Sequence, residues 1–290
     1  MALKVNFFVS DFLTCVRFSP IYALFIVAFY LQAHLQSDYV NTILYFARIG
    51  TILCCLAFLF SPFFSHAPPA EVEVWYRRAL LASAASWALR LHQRLKTSNA
   101  GFSRAILETL VTEDAFHYLV YSIIFALLTP VSVSLMPVFL FALLHCTRFT
   151  QNLLDASAPR RNEATGDGPD TNSTVGQPSY LRNLVQAAVT KVNTNNEPIL
   201  RLIALNEIML MVVCIFMALS GPRIIILPFI YYPFLKMRYN SRRNPYSRLA
   251  FYELRVSLQT MACHPKCPGF VSRMIYGLIN LVSRLCPTAG

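Results

Sequence analysis

Long apolar blocks alternate along this chain with shorter blocks that have helical periodicity and many arginines. The first apolar run, Ile21 to Leu31, comes after Asp11 and Arg17 and is followed by Gln32-Ala33-His34-Leu35, which offers no small-residue cleavage site. It reads as a retained membrane segment. A second run, Ile49 to Phe64, carries no charge, and Arg48 at its edge has a stem long enough to reach an interface. The third, Ala115 to Thr147, is uncharged over 33 residues. As one straight helix it would measure about 50 Å against a hydrocarbon core of about 30 Å. Thr129-Pro130 and Met136-Pro137 supply breaks, leaving pieces of about 14 and 16 residues, each short for a crossing. The fourth, Leu202 to Ser220, is broken by Gly221-Pro222-Arg223 and resumes as Ile224 to Leu235. This pattern predicts an all-α, multi-pass helical membrane protein with proline-broken hairpins and cytosolic amphipathic helices.

Composition supports that class. Of 290 residues, 56% are apolar and 13% charged, with mean hydropathy +0.48, whereas globular domains carry about 25% charged residues. A disordered chain is excluded, and a purely soluble enzyme is not expected. The charges are lopsided, 25 Lys+Arg against 14 Asp+Glu for a formal +11. With so much Phe, Leu and Ile, that excess suits an anionic cytosolic leaflet rather than nucleic acid.

The basic residues constrain topology. Segment 65 to 113 holds Arg77, Arg78, Arg90, Arg94, Lys96 and Arg104; segment 147 to 201 holds Arg148, Arg160, Arg161, Arg182, Lys191 and Arg201; the tail from Lys236 holds nine more. If positive charge marks the cytosol, all three lie on one side and each proline-broken region is a hairpin. The competing count makes each region a single tilted span and places segment 147 to 201 in the lumen. The sequon Asn172-Ser173-Thr174, in the linker-like stretch Asp155 to Ser179, would be glycosylated under the second count only. The resulting division is 1–66, N-terminal membrane segments; 67–114, a basic amphipathic region; and 115–147, a broken membrane region. Then come 148–180, a disordered linker; 181–236, an amphipathic helix and second broken region; and 237–290, a basic amphipathic tail.

Two amphipathic blocks flank the membrane runs. After Pro68-Pro69 and an acidic first turn (Glu71, Glu73), Tyr76, Leu80, Ala84, Trp87 and Leu91 recur at helical spacing. Such a helix either lies at the interface with its arginines on lipid phosphates or packs on the bundle. Leu181, Leu184, Val185, Ala188, Val189 and Val192 form a weaker stripe, expected to pack. In the tail, Lys236, Arg238, Arg242, Arg243 and Arg248 follow directly on an apolar run and are expected to face anionic headgroups. Phe251, Leu254, Leu258 and Met261 mark one tail helix. After Pro268 a second collects Val271, Met274, Ile275, Leu278, Leu281, Val282 and Leu285, with Arg273, Asn280 and Arg284 on the opposite face. The second is expected to lie on the membrane surface; docking on the preceding helix is the alternative.

Catalytic patterns are not found. There is no G-x-S-x-G, P-loop or H-E-x-x-H spacing, so no enzymatic activity and no cofactor are expected. The eight cysteines lack a disulfide-framework spacing, and Cys263-His264-Pro265-Lys266-Cys267 supplies three potential zinc ligands without a second pair. Cys146 and Cys286, near predicted interfaces, are candidates for acylation. His117 and His145 flank the third apolar region and are read as interfacial. Glu207 is the candidate intramembrane polar site, because a carboxylate inside an apolar run is costly; the alternative is an interfacial position one turn or so from Arg201.

Several strings are specific. Arg78-Ala79-Leu80-Leu81-Ala82 leads into Ala88-Leu89-Arg90-Leu91-His92-Gln93-Arg94-Leu95. Glu113-Asp114 precedes His117-Tyr118-Leu119. Asn206-Glu207-Ile208, Phe229-Ile230-Tyr231-Tyr232 and Ser241-Arg242-Arg243-Asn244-Pro245-Tyr246 follow. Together, over about residues 71 to 290, they resemble the transmembrane protein 33 family, also called Krüppel homologue 2 and including the yeast pore membrane proteins. The resemblance implies a non-enzymatic protein of the endoplasmic reticulum and nuclear envelope that organises tubular reticulum and nuclear pore distribution. It further implies association with reticulon-type shaping proteins, nuclear pore components and the unfolded-protein stress-sensor kinase. It implies three spans, a cytosolic C-terminus, and membrane-binding amphipathic helices over Phe270 to Cys286. Independently of the resemblance, the broken helices around Glu207 admit a second class, a small transporter or channel.

Overall fold

A computed structural model describes residues 39–64, 69–97, 113–128, 130–156, 180–221, 225–241 and 245–285. The apolar run at 21 to 31, the sequon at Asn172, and Arg242, Arg243 and Cys286 lie outside them. Among the described residues the structure is all-α: α1 Tyr39–Phe64, α2 Pro69–Thr97, α3 Asp114–Leu127, a 3-10 turn Ser132–Ser134, α4 Leu135–Ala156, α5 Tyr180–Thr194, α6 Asn196–Leu219, α7 Leu227–Asn240, α8 Tyr246–Ala262 and α9 Gly269–Leu285. Within them, three stretches are long and apolar enough to cross a membrane: Val40–Ser61, Ser132–Asp155 and Asn196–Leu219.

Prolines set the boundaries, but not all as breaks. Pro130 follows the end of α3, where a ring without an N–H costs no helical bond. Pro137 was expected to interrupt the third region; it stands in the first turn of α4, where its missing N–H is one of the unpaired four. The second piece is therefore a 22-residue helix. Polar residues do not stop it, since its end runs past Arg148 to Ala156. For the same reason α6 begins at Asn196, six residues before the apolar run, with Arg201 bonded to Glu197 one turn back at 2.8 Å. Glu71 in the first turn of α2, and Arg94 and Lys96 in its last, complement the helix dipole.

The six helices α1 to α4, α6 and α7 form three antiparallel pairs. Contacts between α2 and α3 run in opposite senses: Ser122 bonds Ser83 at 3.1 Å, Tyr118 stacks on Trp87 at 5.3 Å, and Arg94 reaches Glu113. Tyr76 bonds Ser134 at 2.8 Å at the entry to α4, and Phe58 of α1 lies against Tyr76. Tyr45 of α1 meets Phe149 and Thr150 near the end of α4. Between α3 and α7, Asp114 meets Ser241, Tyr118 meets Phe234 and Phe125 meets Tyr231. Consequently Thr97, Glu113, Ala156 and Asn240 gather at one end of the bundle, which we call the polar end. Phe64, Pro69, Leu127, Ser220 and Leu227 lie toward the other. The chain thus reverses direction across both proline-broken regions, each of which contributes one long and one short helix.

The core lies where the pairs meet. Tyr76, Leu80, Trp87 and Leu91 of α2 are buried with Tyr118, Tyr121 and Phe125 of α3, Leu210 and Cys214 of α6, and Tyr231 and Phe234 of α7. The α2 stripe therefore packs on the bundle, which resolves the choice left open by its composition. On α5, Val189 is buried and Val192 packs beside Leu140, Leu144 and Ile203, while Leu184 is exposed.

Candidate functional site: a buried ion pair and a two-sided amphipathic helix

Glu207 sits about midway along α6, some 16 Å from its start at 1.5 Å per residue. Its carboxylate is fully buried and accepts a hydrogen bond from the Tyr118 hydroxyl. Arg238, two residues before the end of α7, places Nε 3.2 Å from Glu207 Oε2 and Nη1 3.0 Å from Asp114 Oδ1. Ser241 donates to the same Asp114 oxygen at 3.1 Å, and the Tyr231 hydroxyl donates to the Glu207 backbone carbonyl at 3.0 Å. The guanidinium lies over the Tyr118 ring, 4.8 Å from its centroid. Arginine stays protonated in any protein environment, so its burial demands anions and π faces; here it has two carboxylates and one ring. The set ties α3, α6 and α7 together, and Asp114, partly exposed, is its link to the polar end.

This arrangement corrects one expectation. Arg238 was grouped with the juxtamembrane cations that face headgroups, yet its side chain is fully buried. On a 14-residue helix beginning at Leu227, position 238 turns onto the same face as Tyr231 and Phe234, toward Glu207. Lys236, two residues earlier, and Arg248 are exposed as expected. Arg201, the neighbour once considered for Glu207, bonds Glu197 and approaches Glu253 at 3.9 Å.

The last helix is divided lengthwise. Ile275 and Ile279 are buried against Ala262, with Val271 and Leu258 beside them, so α9 docks on α8. Phe270 is 77% exposed, Met274 60%, Leu278 51% and Leu281 56%. Spacings of four, four and three residues align these four along the helix, next to the docked strip. Arg273 and Arg284 are exposed on the far side of the uncovered strip. Val282 is half-buried. Docking on the preceding helix, the alternative, is therefore seen for Ile275 and Ile279, with Val271 beside them, and these positions are corrected from the membrane-facing set to the docked one; the adjacent strip is uncovered. The Cys263-to-Cys267 turn forms the corner between the two helices. Cys263 Sγ lies 3.2 Å from the Tyr276 hydroxyl, a contact that raises the phenol's pKa, and His264 Nδ1 accepts the Lys266 backbone N–H at 3.2 Å.

Other candidates fall elsewhere. Cys146 is buried with Sγ 4.0 Å from the Tyr45 carbonyl, and His117 is buried near Asp114 at 3.9 Å. His145 lies between Trp87, Phe141 and Arg90. Sequence reasoning missed Asp114 and Tyr118 as partners of Glu207, although a solitary buried carboxylate demands a cation within reach. It also missed Phe270 as part of the exposed strip, which its four-residue spacing from Met274 foreshadowed.

A helical bundle with membrane-length helices, a carboxylate–guanidinium pair in its interior and a charged amphipathic tail defines the chain as a multi-pass membrane protein. Residues 27–288 match the profile of the family described as Transmembrane protein 33/Nucleoporin POM33. The chain is 39% identical to Transmembrane protein 33 of Homo sapiens over 254 residues, covering 88% of this chain and 92% of that one. It is also 33% identical to Krueppel homolog 2 of Drosophila melanogaster over 257 residues, covering 89% and 82%. The chain belongs to this family, and the match starts well before residue 71, where the recognisable strings begin. No solved structure matches it.

Proposed function

We propose that this protein is a non-enzymatic organiser of endoplasmic reticulum and nuclear-envelope membrane, anchored by its bundle and working through its C-terminal helix. One observation carries the proposal. The uncovered strip Phe270, Met274, Leu278 and Leu281 lies beside Arg273 and Arg284 on a helix docked on α8 by Ile275 and Ile279. Apolar side chains level with a headgroup layer gain from burial there, and flanking arginines meet phosphates. Because α9 is held at the polar end, it enters one leaflet only, and such one-sided occupation biases curvature. The family description includes a nucleoporin, which supports a place at the nuclear pore membrane. Reticulon-type shaping proteins, pore components and the stress-sensor kinase are the partners in this proposal, and modulation of the unfolded-protein response is its downstream consequence.

The test is replacement in cells depleted of this protein, comparing the full chain with a Phe270→Glu/Met274→Glu/Leu278→Glu variant. The native chain restores tubular reticulum and even pore spacing, and the variant remains membrane-integrated without restoring either. Equal restoration by both chains would refute the role of α9.

A further inference from the structure

At the polar end, four arginines from three helices converge around one histidine. Arg48 comes from α1, Arg90 and Arg94 from α2, and Arg148 from α4; the ring of Tyr45, one turn before Arg48, lies 4.7 Å from that of Phe149, next to Arg148, and all four guanidiniums are near enough to His145 to act on it electrostatically. Arg90 Nη1 is 3.5 Å from His145 Nδ1, and Arg94, Arg148 and the Glu113 carboxylate are near enough to act on its charge. Trp87, Phe141 and His145 form an aromatic wall beside them, with ring centroids 5.6 Å and 6.4 Å from the imidazole. Three other arginines are paired with carboxylates. Arg77 bonds Glu73, Arg201 bonds Glu197, and Arg238 has two carboxylates. Here the compensation is poor. Glu113 is engaged by Arg94, and among the described residues Arg48, Arg90 and Arg148 form no ion pair. Clustered guanidiniums with a single carboxylate repel one another, and an oxyanion bearing two charges would remove that repulsion with forked hydrogen bonds.

We propose that this cluster binds the phosphomonoester headgroup of an anionic phospholipid. A phosphate is the shared chemistry; depth selects the lipid source. Arg48 immediately precedes the uncharged run Ile49 to Phe64, and Arg148 immediately follows the uncharged run Ala115 to Thr147. That is where a membrane-length helix passes from headgroups into hydrocarbon, and where arginine stems point back toward phosphates. Arg148 is exposed while Arg48 and Arg90 are half-buried, so the cluster reaches the surface rather than lying in a sealed interior. Basic pockets between membrane helices suit such headgroups. The site is separate from α9 and stands whether or not that helix binds lipid.

The experiment uses the purified full chain in neutral detergent, titrated with dioctanoyl phosphatidic acid, dioctanoyl phosphatidylcholine, glycerol 3-phosphate and inorganic phosphate, with binding read by thermophoresis. Phosphatidic acid should bind saturably and at least about tenfold more tightly than either phosphatidylcholine or the soluble phosphates. Arg148→Gln, at an exposed position without an ion pair, should weaken it severalfold, and Arg48→Gln/Arg148→Gln about tenfold or more. Arg77→Gln, at the opposite end of α2, should leave it unchanged. Equal affinity for phosphatidylcholine would overturn the site, as would undiminished binding in Arg148→Gln. Glycerol 3-phosphate binding as tightly as the lipid would overturn the lipid assignment.

Discussion

Arg238 and Glu207, 31 residues apart in sequence, meet inside the bundle with Nε 3.2 Å from Oε2, both side chains about 1% exposed. The charges come from two helices of one antiparallel pair, and the third partner, Asp114, is 124 residues from Arg238. A buried pair of this kind contributes little against an apolar replacement, but losing one member strands the other.

Glu207→Ala is therefore expected to lower unfolding free energy by about 3–5 kcal/mol, because Arg238 remains buried with only Asp114. The double variant Glu207→Leu/Arg238→Met should recover much of that loss. Thermal unfolding of the native protein, Glu207→Leu, Arg238→Met and the double variant in one detergent measures the coupling; a double variant as unstable as the sum of the two singles would refute it.

Tyr118→Phe keeps the stacking on Trp87 and the ring beneath Arg238 and removes only the hydroxyl that Glu207 accepts from. A hydrogen bond to a charged group contributes about 1.5–3 kcal/mol, so a loss in that range is expected in the same assay. An unchanged midpoint would mean that the contact carries no energy.

The two strips of α9 should respond differently to the same substitution. Ile275→Glu buries a carboxylate against α8 and is expected to release the helix, seen as rapid proteolytic cleavage after the Lys266 region. Met274→Glu, on the uncovered strip, should change stability by no more than about 0.5 kcal/mol and leave cleavage slow. Similar cleavage of the two variants would contradict the division.

Cysteine labelling tests the hairpins. In a background with Cys263 and Cys267 replaced by serine, Lys96→Cys and Asp155→Cys should react with an impermeant maleimide in sealed microsomes, since both exposed positions lie at the polar end. Glu71→Cys and Ser220→Cys, at the opposite end, should react only after permeabilisation. Lys96 and Asp155 labelling from opposite sides would restore the single-span count.

Sequence periodicity exposed much of this arrangement. The apolar blocks, the α2 stripe from Tyr76 to Leu91 and the amphipathic face after Pro268 follow from residue spacing, because burial repeats with the helical period whatever the burying surface is. Proline positions were visible too, but their effect was not: Pro130 follows a helix end whereas Pro137 opens one, and only the location of neighbouring helix starts distinguishes them. Arg238 was misjudged because a basic residue after an apolar run has the same local signature whether it faces headgroups or an interior carboxylate.

By itself, then, the chain determined that its solvent is partly lipid, that it is helical throughout its patterned regions and that its charge gathers at segment ends, since these depend on composition and on contacts within a few residues. Tertiary structure alone decided which charges are compensated. Glu207 finds Arg238, whereas Arg48 meets the like charge of Arg90, across distances set by the antiparallel helix packing. Electrostatic energy falls off with spatial separation and takes no account of sequence separation, so no window along the chain contains it.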